Sequence, residues 1–284
     1  MTIKNNLPEE DVAFDSADGI IVEGTYCGSY GVSVGAALLV HGLTEDRDEA
    51  FGFYKKLADR LTANGFSSLR IDLRGHGKSK KAYQDLSLFN ALSDIDAAVN
   101  FLVRRSARQK VHLIGTSFGG GLVALYAAQW HSSLCSLVLL CPNLDYRRNW
   151  LERKAFWSTA GLTTEGVKAL SDDGALSHGE FRIGRCMFHE LLHVRPWERM
   201  RSIPVPCLTV HGTADSIVPD ELSVRHYMCN ERSELLRIEG ADHGFVEPDD
   251  DDFSSPVTAA NVDRVFSAVV DWLKRHNKEG TDLG

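Results

Sequence analysis

From Gly35 to Pro142 the chain alternates between short, nearly continuous apolar runs and longer stretches whose apolar residues recur every three to four positions. GAALLVHG, FSSLRID, KVHLIGT and SLVLLCP are the apolar runs. Such runs, without polar alternation, are what a strand needs when both faces of its sheet are covered. Between them, FYKKLADRLTANG has helical periodicity and a stop at Gly65, Leu86 to Arg105 repeats the periodicity, and GGGLVALYAAQW follows the third run. Repeated strand–helix units dictate a mostly parallel sheet with helices on both faces, because a parallel neighbour is reached only through a crossover. Ahead of the first unit, VAFDS and IIVEGTY flank an Asp18-Gly19 turn and predict an antiparallel hairpin.

The rhythm stops after Pro142. It resumes with PCLTVHG, a helix from about Pro219 to Cys229, SELLRIEG and a last amphipathic helix from Val262 to His276. The expected organisation is an α/β core of residues 1–142 and 204–284, a doubly wound sheet, with residues 143–203 inserted into it. The insertion holds Trp150, Trp157 and Trp197 and a GEFRIG segment that suggests a short hairpin. Long irregular insertions are usually functional, and parallel sheets bind ligands beyond the carboxyl ends of their strands. A lid over that edge is therefore expected, with Phe156, Trp157, Phe181 and Phe188 as its pocket wall.

Composition removes several function classes. A net charge of −8 gives no electrostatic footprint for nucleic acid. No apolar run approaches the roughly 18 residues of a membrane span, and the opening MTIKNNLPEEDVAF lacks the apolar segment of a signal peptide. Cys27, Cys135, Cys141, Cys186, Cys207 and Cys229 are scattered without metal-ligand spacing. They read as free thiols in a cytoplasmic protein, and no metal or cofactor is expected. The acidic run Glu247 to Asp252 reads as a solvated loop, since consecutive carboxylates repel rather than converge on a cation.

Gly115-Thr116-Ser117-Phe118-Gly119 matches G-x-S-x-G and lies between a strand and a helix. Its chemistry demands a sharp turn that lifts the serine hydroxyl clear of the sheet, with glycines on either side to make room. A serine hydroxyl needs a neighbouring base to become a nucleophile. Of eleven histidines, His243 lies in a loop between the last strand and the last helix, whereas His112 and His211 lie within strands. Asp215, after the strand PCLTVHG, is placed to orient the imidazole and stabilise its protonated form. Its alternative is a turn-forming or capping residue. Asp242 is the weaker rival, because adjacent side chains rarely aim at one another. His41-Gly42-Leu43-Thr44 follows the first core strand, so the N–H groups of Leu43 and Phe118 are the expected oxyanion donors. His41 is expected to brace that loop. Asp72 and Ser79, in DLRGHGKS, are expected to organise the next one through hydrogen bonds.

HGLT, DLRGHGKS, GTSFGG, HGTADSIVP and DHGF occur in this order, and through them nearly the whole chain resembles the α/β-hydrolase family. Within it, HGLTEDRDEAF, NGFSSLRIDLRGHGKS and the insertion leading to PVPCLTVHGTADSIVP are most similar to the bacterial cinnamoyl/feruloyl esterases. The resemblance implies a Ser117–His243–Asp215 triad, oxyanion donors at Leu43 and Phe118, and a lid over an acyl pocket. Phe118 and the acidic run depart from those esterases. The expected activity is hydrolysis of a small or aromatic acyl ester through an acyl-enzyme, on a small-molecule substrate, without nucleic-acid or membrane partners. A thioesterase or acyltransferase taking its acyl chain from an acyl carrier protein, through Arg147, Arg148, Arg153, Arg182 and Arg185, is the alternative. A non-enzymatic binding protein of the same fold is a third reading, and a homodimer is left open.

Overall fold

The structure, a computed structural model, describes residues 9–79, 86–179, 181–227 and 231–277; the side chain of His178 is not described. The hairpin is present as β1 (Glu9–Asp15) and β2 (Ile21–Cys27), joined through Asp18-Gly19. The four apolar runs become β3 (Gly35–Val40), β4 (Phe66–Asp72), β5 (Val111–Thr116) and β6 (Leu134–Leu140). After the insertion come β11 (Cys207–Gly212) and β12 (Ser233–Ile238). The order across the sheet is β1-β2-β4-β3-β5-β6-β11-β12, antiparallel only where β2 pairs with β1 and β4. This is the mostly parallel, doubly wound arrangement that the alternation requires.

Side-chain alternation along the buried strands feeds two cores. From β3, Ala36, Leu38 and Val40 point to the face covered by α2 (Leu88–Ser106) and α3 (Ser117–Gln129). Ala37 and Leu39 point to the opposite face, under α1 (Phe53–Ala63) and α8 (Pro256–Arg275). Helix ends follow local chemistry. Ser87 and Asn90 form a reciprocal capping box at the start of α2.

The last helix begins at Pro256, six residues before the Val262 expected from periodicity, because Ser255 caps it and Pro256 occupies its first turn. Asp249, Asp251 and Asp252 of the acidic run are exposed, as in a solvated loop, but Glu247 and Asp250 belong to this cap. Asp250 accepts the N–H groups of Ser254 and Ser255 and the Thr258 hydroxyl, and Glu247 accepts the Ser255 hydroxyl. Carboxylates beside a helix N-terminus are favoured by its dipole.

Residues 143–203 contain a π-turn (148–152), two short antiparallel pairs and three helices. The pairs are β7 (Trp157–Ser158) with β8 (Gly161–Leu162), and β9 (Ala175–His178) with β10 (Phe181–Gly184), the latter being the GEFRIG hairpin. The helices are α4 (Thr164–Asp172), α5 (Arg185–His193) and α6 (Pro196–Arg199). Phe181, Ile183, Met187, Phe188 and Leu191 are buried in the same cluster as Leu38 and Leu122, so the insertion is continuous with the core. Between β11 and β12, α7 (Glu221–Tyr227) packs on both strands. Among the described residues, no helix is long and apolar enough to cross a membrane.

Candidate active site

Ser117 is the first residue of α3, directly after β5, with φ +50°. A non-glycine residue held there is strained, and the strain is tolerated because the turn has no alternative path. A Cβ on Gly115 would lie 2.5 Å from the Gly119 carbonyl oxygen, and one on Gly119 would collide with the carbonyls of Val40 and His41. The two motif glycines are therefore steric requirements of the elbow. The Ser117 carbonyl accepts the Asn143 N–H at 2.8 Å, which ties the elbow to the start of the insertion.

Asp215 lies three residues beyond β11 and is buried. Its Oδ1 accepts the N–H groups of Ile217 (3.1 Å) and Val218 (2.7 Å), while its Oδ2 meets His243 Nδ1 at 2.8 Å. The turn-forming and imidazole-orienting readings of this residue are thus both realised, one on each oxygen. Burial pushes its carboxyl up, but hydrogen bonds from His211, His243 and Val218, with the charge of His243, outweigh burial and hold it well below the usual carboxylate range. Asp242 does not compete. Its Oδ1 takes the Ser216 N–H (2.7 Å), the Ser216 hydroxyl (2.9 Å) and the His243 N–H (2.6 Å), which joins the two loops but leaves the ring to Asp215.

Ser117 and His243 line one cavity of about 490 Å³, together with Gly42, Leu43, Phe53 and Phe245. The expected oxyanion donors come from two different segments. Leu43 is in the cavity wall, and the Phe118 N–H belongs to the first turn of α3, where N–H groups lack intrahelical acceptors. His41 braces its loop as expected: Nδ1 donates to the Gly42 carbonyl (2.6 Å) and Nε2 accepts the Leu73 N–H (3.0 Å), which fixes the tautomer. Burial pushes its imidazole down to about 4, so it stays neutral. Asp72 accepts the Arg47 N–H and guanidinium and the Lys78 N–H, joining both flanking loops. Ser79 does not share that role. Its hydroxyl has no partner among the described residues, and only its N–H is used, donating to the His76 carbonyl at 2.9 Å.

The insertion reaches the cavity through Trp150 and Gly179. The four aromatics expected at the wall are elsewhere: Phe181 and Phe188 are buried in the core, and Phe156 and Trp157 pack against it. Phe118 explains part of this packing, since its ring stands 5.0 Å from that of Trp150 and its carbonyl accepts the Tyr146 hydroxyl. An apolar residue after the serine anchors the insertion.

The chain matches the family model described as serine aminopeptidase, S33, over residues 32–169. Its fold superposes on the ferulic-acid-bound Est1E of Butyrivibrio proteoclasticus with a TM-score of 0.76, at 22% identity, covering 93% of this chain and 98% of that one. The chain has the α/β-hydrolase fold. The chain is also 32% identical to the rat monoacylglycerol lipase ABHD6 over 142 residues, 49% of this chain and 37% of that protein. It thus spans little more than a third of that relative's length. Similarity to the monoacylglycerol lipase of Mycolicibacterium smegmatis extends further, 26% identity over 65% of this chain and 71% of that one.

Three residues near the site escaped sequence reasoning. His211 Nε2 is 3.2 Å from Asp215 Oδ2, and its only signal was the four-residue spacing across a strand end. The Cys141 sulfur lies within 4.8 Å of the ligand atoms of Asp215 and His243, a spacing that would suit a metal ion. Burial pushes that thiol far up, which keeps it protonated and makes the trio a poor metal site. Glu49 is the third, a pocket carboxyl with no motif to mark it.

Proposed function

We propose that this chain is a serine hydrolase of uncharged carboxylic esters with a small or aromatic acyl group, working through an acyl-enzyme. Ser117 attacks the ester carbonyl, His243 takes the hydroxyl proton and returns it to the leaving alcohol, and Asp215 orients and stabilises the imidazolium. The N–H groups of Leu43 and Phe118 hold the oxyanion. Water then repeats the sequence and releases the acid. The observation that carries the reading is the 2.8 Å Asp215–His243 hydrogen bond at a cavity that also contains a strained, elbow-mounted Ser117.

The mainly apolar wall of Phe53, Trp150, Phe245 and Phe253 suits an acyl group of that kind. The names of the similar proteins, monoacylglycerol lipases and a ferulic-acid complex, belong to the same ester chemistry. Residues 143–203 act as the lid, touching the substrate through Trp150. A carrier protein is a poorer fit, because four of the five arginines expected to receive it are engaged, Arg182 being exposed. Arg147 pairs with Glu152, Arg148 with Glu221, Arg153 with the Ile217 carbonyl and Arg185 with the Leu170 and Ser171 carbonyls. The free thiols of Cys27, Cys135, Cys141, Cys186 and Cys207 support a reducing, cytoplasmic compartment.

A fluorophosphonate probe should label the wild type at Ser117, and Ser117→Ala should fold, resist labelling and lose on the order of 10⁶ in kcat. Labelling at another residue, or turnover retained by the variant, would remove the assignment. A panel of p-nitrophenyl esters, methyl ferulate, a monoacylglycerol and an acyl thioester then ranks the substrates.

A further inference from the structure

Across Gly42 from the nucleophile, the cavity carries a carboxyl group that the triad does not use. Glu49 Oε2 accepts the Gly42 N–H at 2.8 Å. The point where a Gly42 Cβ would stand is 3.4 Å from Glu49 Oε1 and 3.5 Å from Ser117 Cβ, so carboxyl and nucleophile flank the same spot. The bond closes a loop that is strained along its length. Glu49 itself has φ +59° and ψ 167°, a region that is essentially glycine's, and Thr44 and Phe51 are also at positive φ. Strain of this kind persists only where the surroundings over-determine it, and it collects at functional sites. The latched segment includes Leu43, whose N–H is assigned to the oxyanion.

No lysine or arginine is among the described residues lining the cavity. The titratable groups that face Glu49 are Glu45 on the same loop, Tyr54 from α1 and His243 from the turn after β12. We propose that Glu49 sets the charge selectivity of this pocket: as a neutral acid it latches the oxyanion loop through Gly42, and as a carboxylate it turns away anionic esters and opposes the oxyanion. The inference rests on the reading of Ser117 as nucleophile.

The balance of these neighbours places the switch near neutrality. Burial and the charge of Glu45 raise the carboxyl, the N–H groups of Gly42 and Ala50 and the charge of His243 lower it, and the outcome is about 7. Below that pH Glu49 adds no charge to the wall, which then carries Glu45 as its other carboxyl; as pH rises through it, a further negative charge appears beside Ser117 with no lysine or arginine in the described lining to offset it.

The test compares kcat/KM for p-nitrophenyl butyrate, neutral, and mono-p-nitrophenyl succinate, anionic, from pH 5.5 to 9. In the wild type, preference for the neutral ester should rise about tenfold across pH 7, the size expected of one charge a few ångströms away in a partly screened site. Glu49→Gln keeps an acceptor for the Gly42 N–H but cannot ionise, so its preference should be flat with pH. Glu49→Ala should lose the latch and lower kcat for both esters at every pH. A wild-type preference that does not change with pH, or a Glu49→Gln preference that changes as the wild type's does, overturns the proposal. Absence of fluorophosphonate labelling of the wild type at all pH values would instead overturn the nucleophile.

Discussion

Ser117 and His243 meet the same cavity as the insertion, but the two parts are held by different forces. Ser117, Asp215 and His243 stand just beyond β5, β11 and β12, on loops cross-linked by directional bonds: Ser117 to Asn143, Asp215 to Ile217 and Val218, Asp242 to Ser216 and His243. The insertion is held by apolar packing, with Phe181 and Phe188 sunk into the main core and, among the described residues, only Trp150 and Gly179 at the cavity. Hydrogen bonds fix a position to a fraction of an ångström and fail sharply when one partner is removed. Packing tolerates rearrangement and fails in proportion to the volume lost. The edge of the sheet is therefore suited to chemistry, and the insertion to selecting what reaches it.

The most severe way to break the directional side is at the carboxylate pair. Asp215→Asn leaves the shape intact but lets the imidazole adopt the wrong tautomer, so kcat should fall by roughly 10⁴. Asp242→Asn removes a loop tie and should cost far less, since Asp242 never reaches the ring. Steady-state kinetics on one ester decide the matter, and a reversed order would make Asp242 the acid.

The packed side separates into two effects that a single variant cannot mimic. Trp150→Ala removes cavity wall as well as packing against Phe118 and Tyr146, so besides a loss of stability the preference between large and small acyl esters should shift about ten- to a hundredfold with little change in fluorophosphonate labelling. Phe181→Ala removes core, and should cost about 3–5 kcal/mol in stability while preserving the substrate order. Replacing residues 143–203 by a short linker is expected to unfold the protein, because it strips Phe181, Ile183, Met187, Phe188 and Leu191 from the shared core. If Phe181→Ala altered the substrate order and Trp150→Ala did not, the division between wall and core would be wrong.

This division also governs what could be read in the sequence. The sheet was legible because its interior parallel strands are short, largely apolar runs bounded by turns, and the proposed triad because its members follow strands in a fixed order. Asp215 was legible even in its ambiguity, since turn residue and imidazole partner are the same aspartate. The aromatics of the insertion were not legible. A phenylalanine at a pocket wall and one in a core obey the same composition, and only the docking of β10 and α5 decides between them. Glu49 and the acidic run failed for a related reason. A carboxylate's meaning depends on which N–H groups surround it, and those come from the backbone of distant or turn-forming residues such as Gly42 and Ser255.

The smallest expected effect lies at the boundary between the two regimes, on a buried histidine that touches the triad without facing the cavity. His211 Nε2 is 2.8 Å from the Val218 carbonyl and 3.2 Å from Asp215 Oδ2, both acceptors, so Nε2 carries a proton shared between them. Its Nδ1 is 2.8 Å from the Ser223 hydroxyl, which fixes the ring. His211 is therefore a positioning residue for Asp215, one donor among several. A hydrogen bond to a charged acceptor contributes about 1.5–3 kcal/mol, and a shared, long one belongs at the low end. His211→Asn should accordingly lower kcat about tenfold, with KM nearly unchanged. Removing the donor also leaves more of the Asp215 charge for the His243 imidazolium, so the acid limb of the kcat profile should move to higher pH. A merely structural role would lower the melting temperature and leave that limb in place, which is the result that would return His211 to the core.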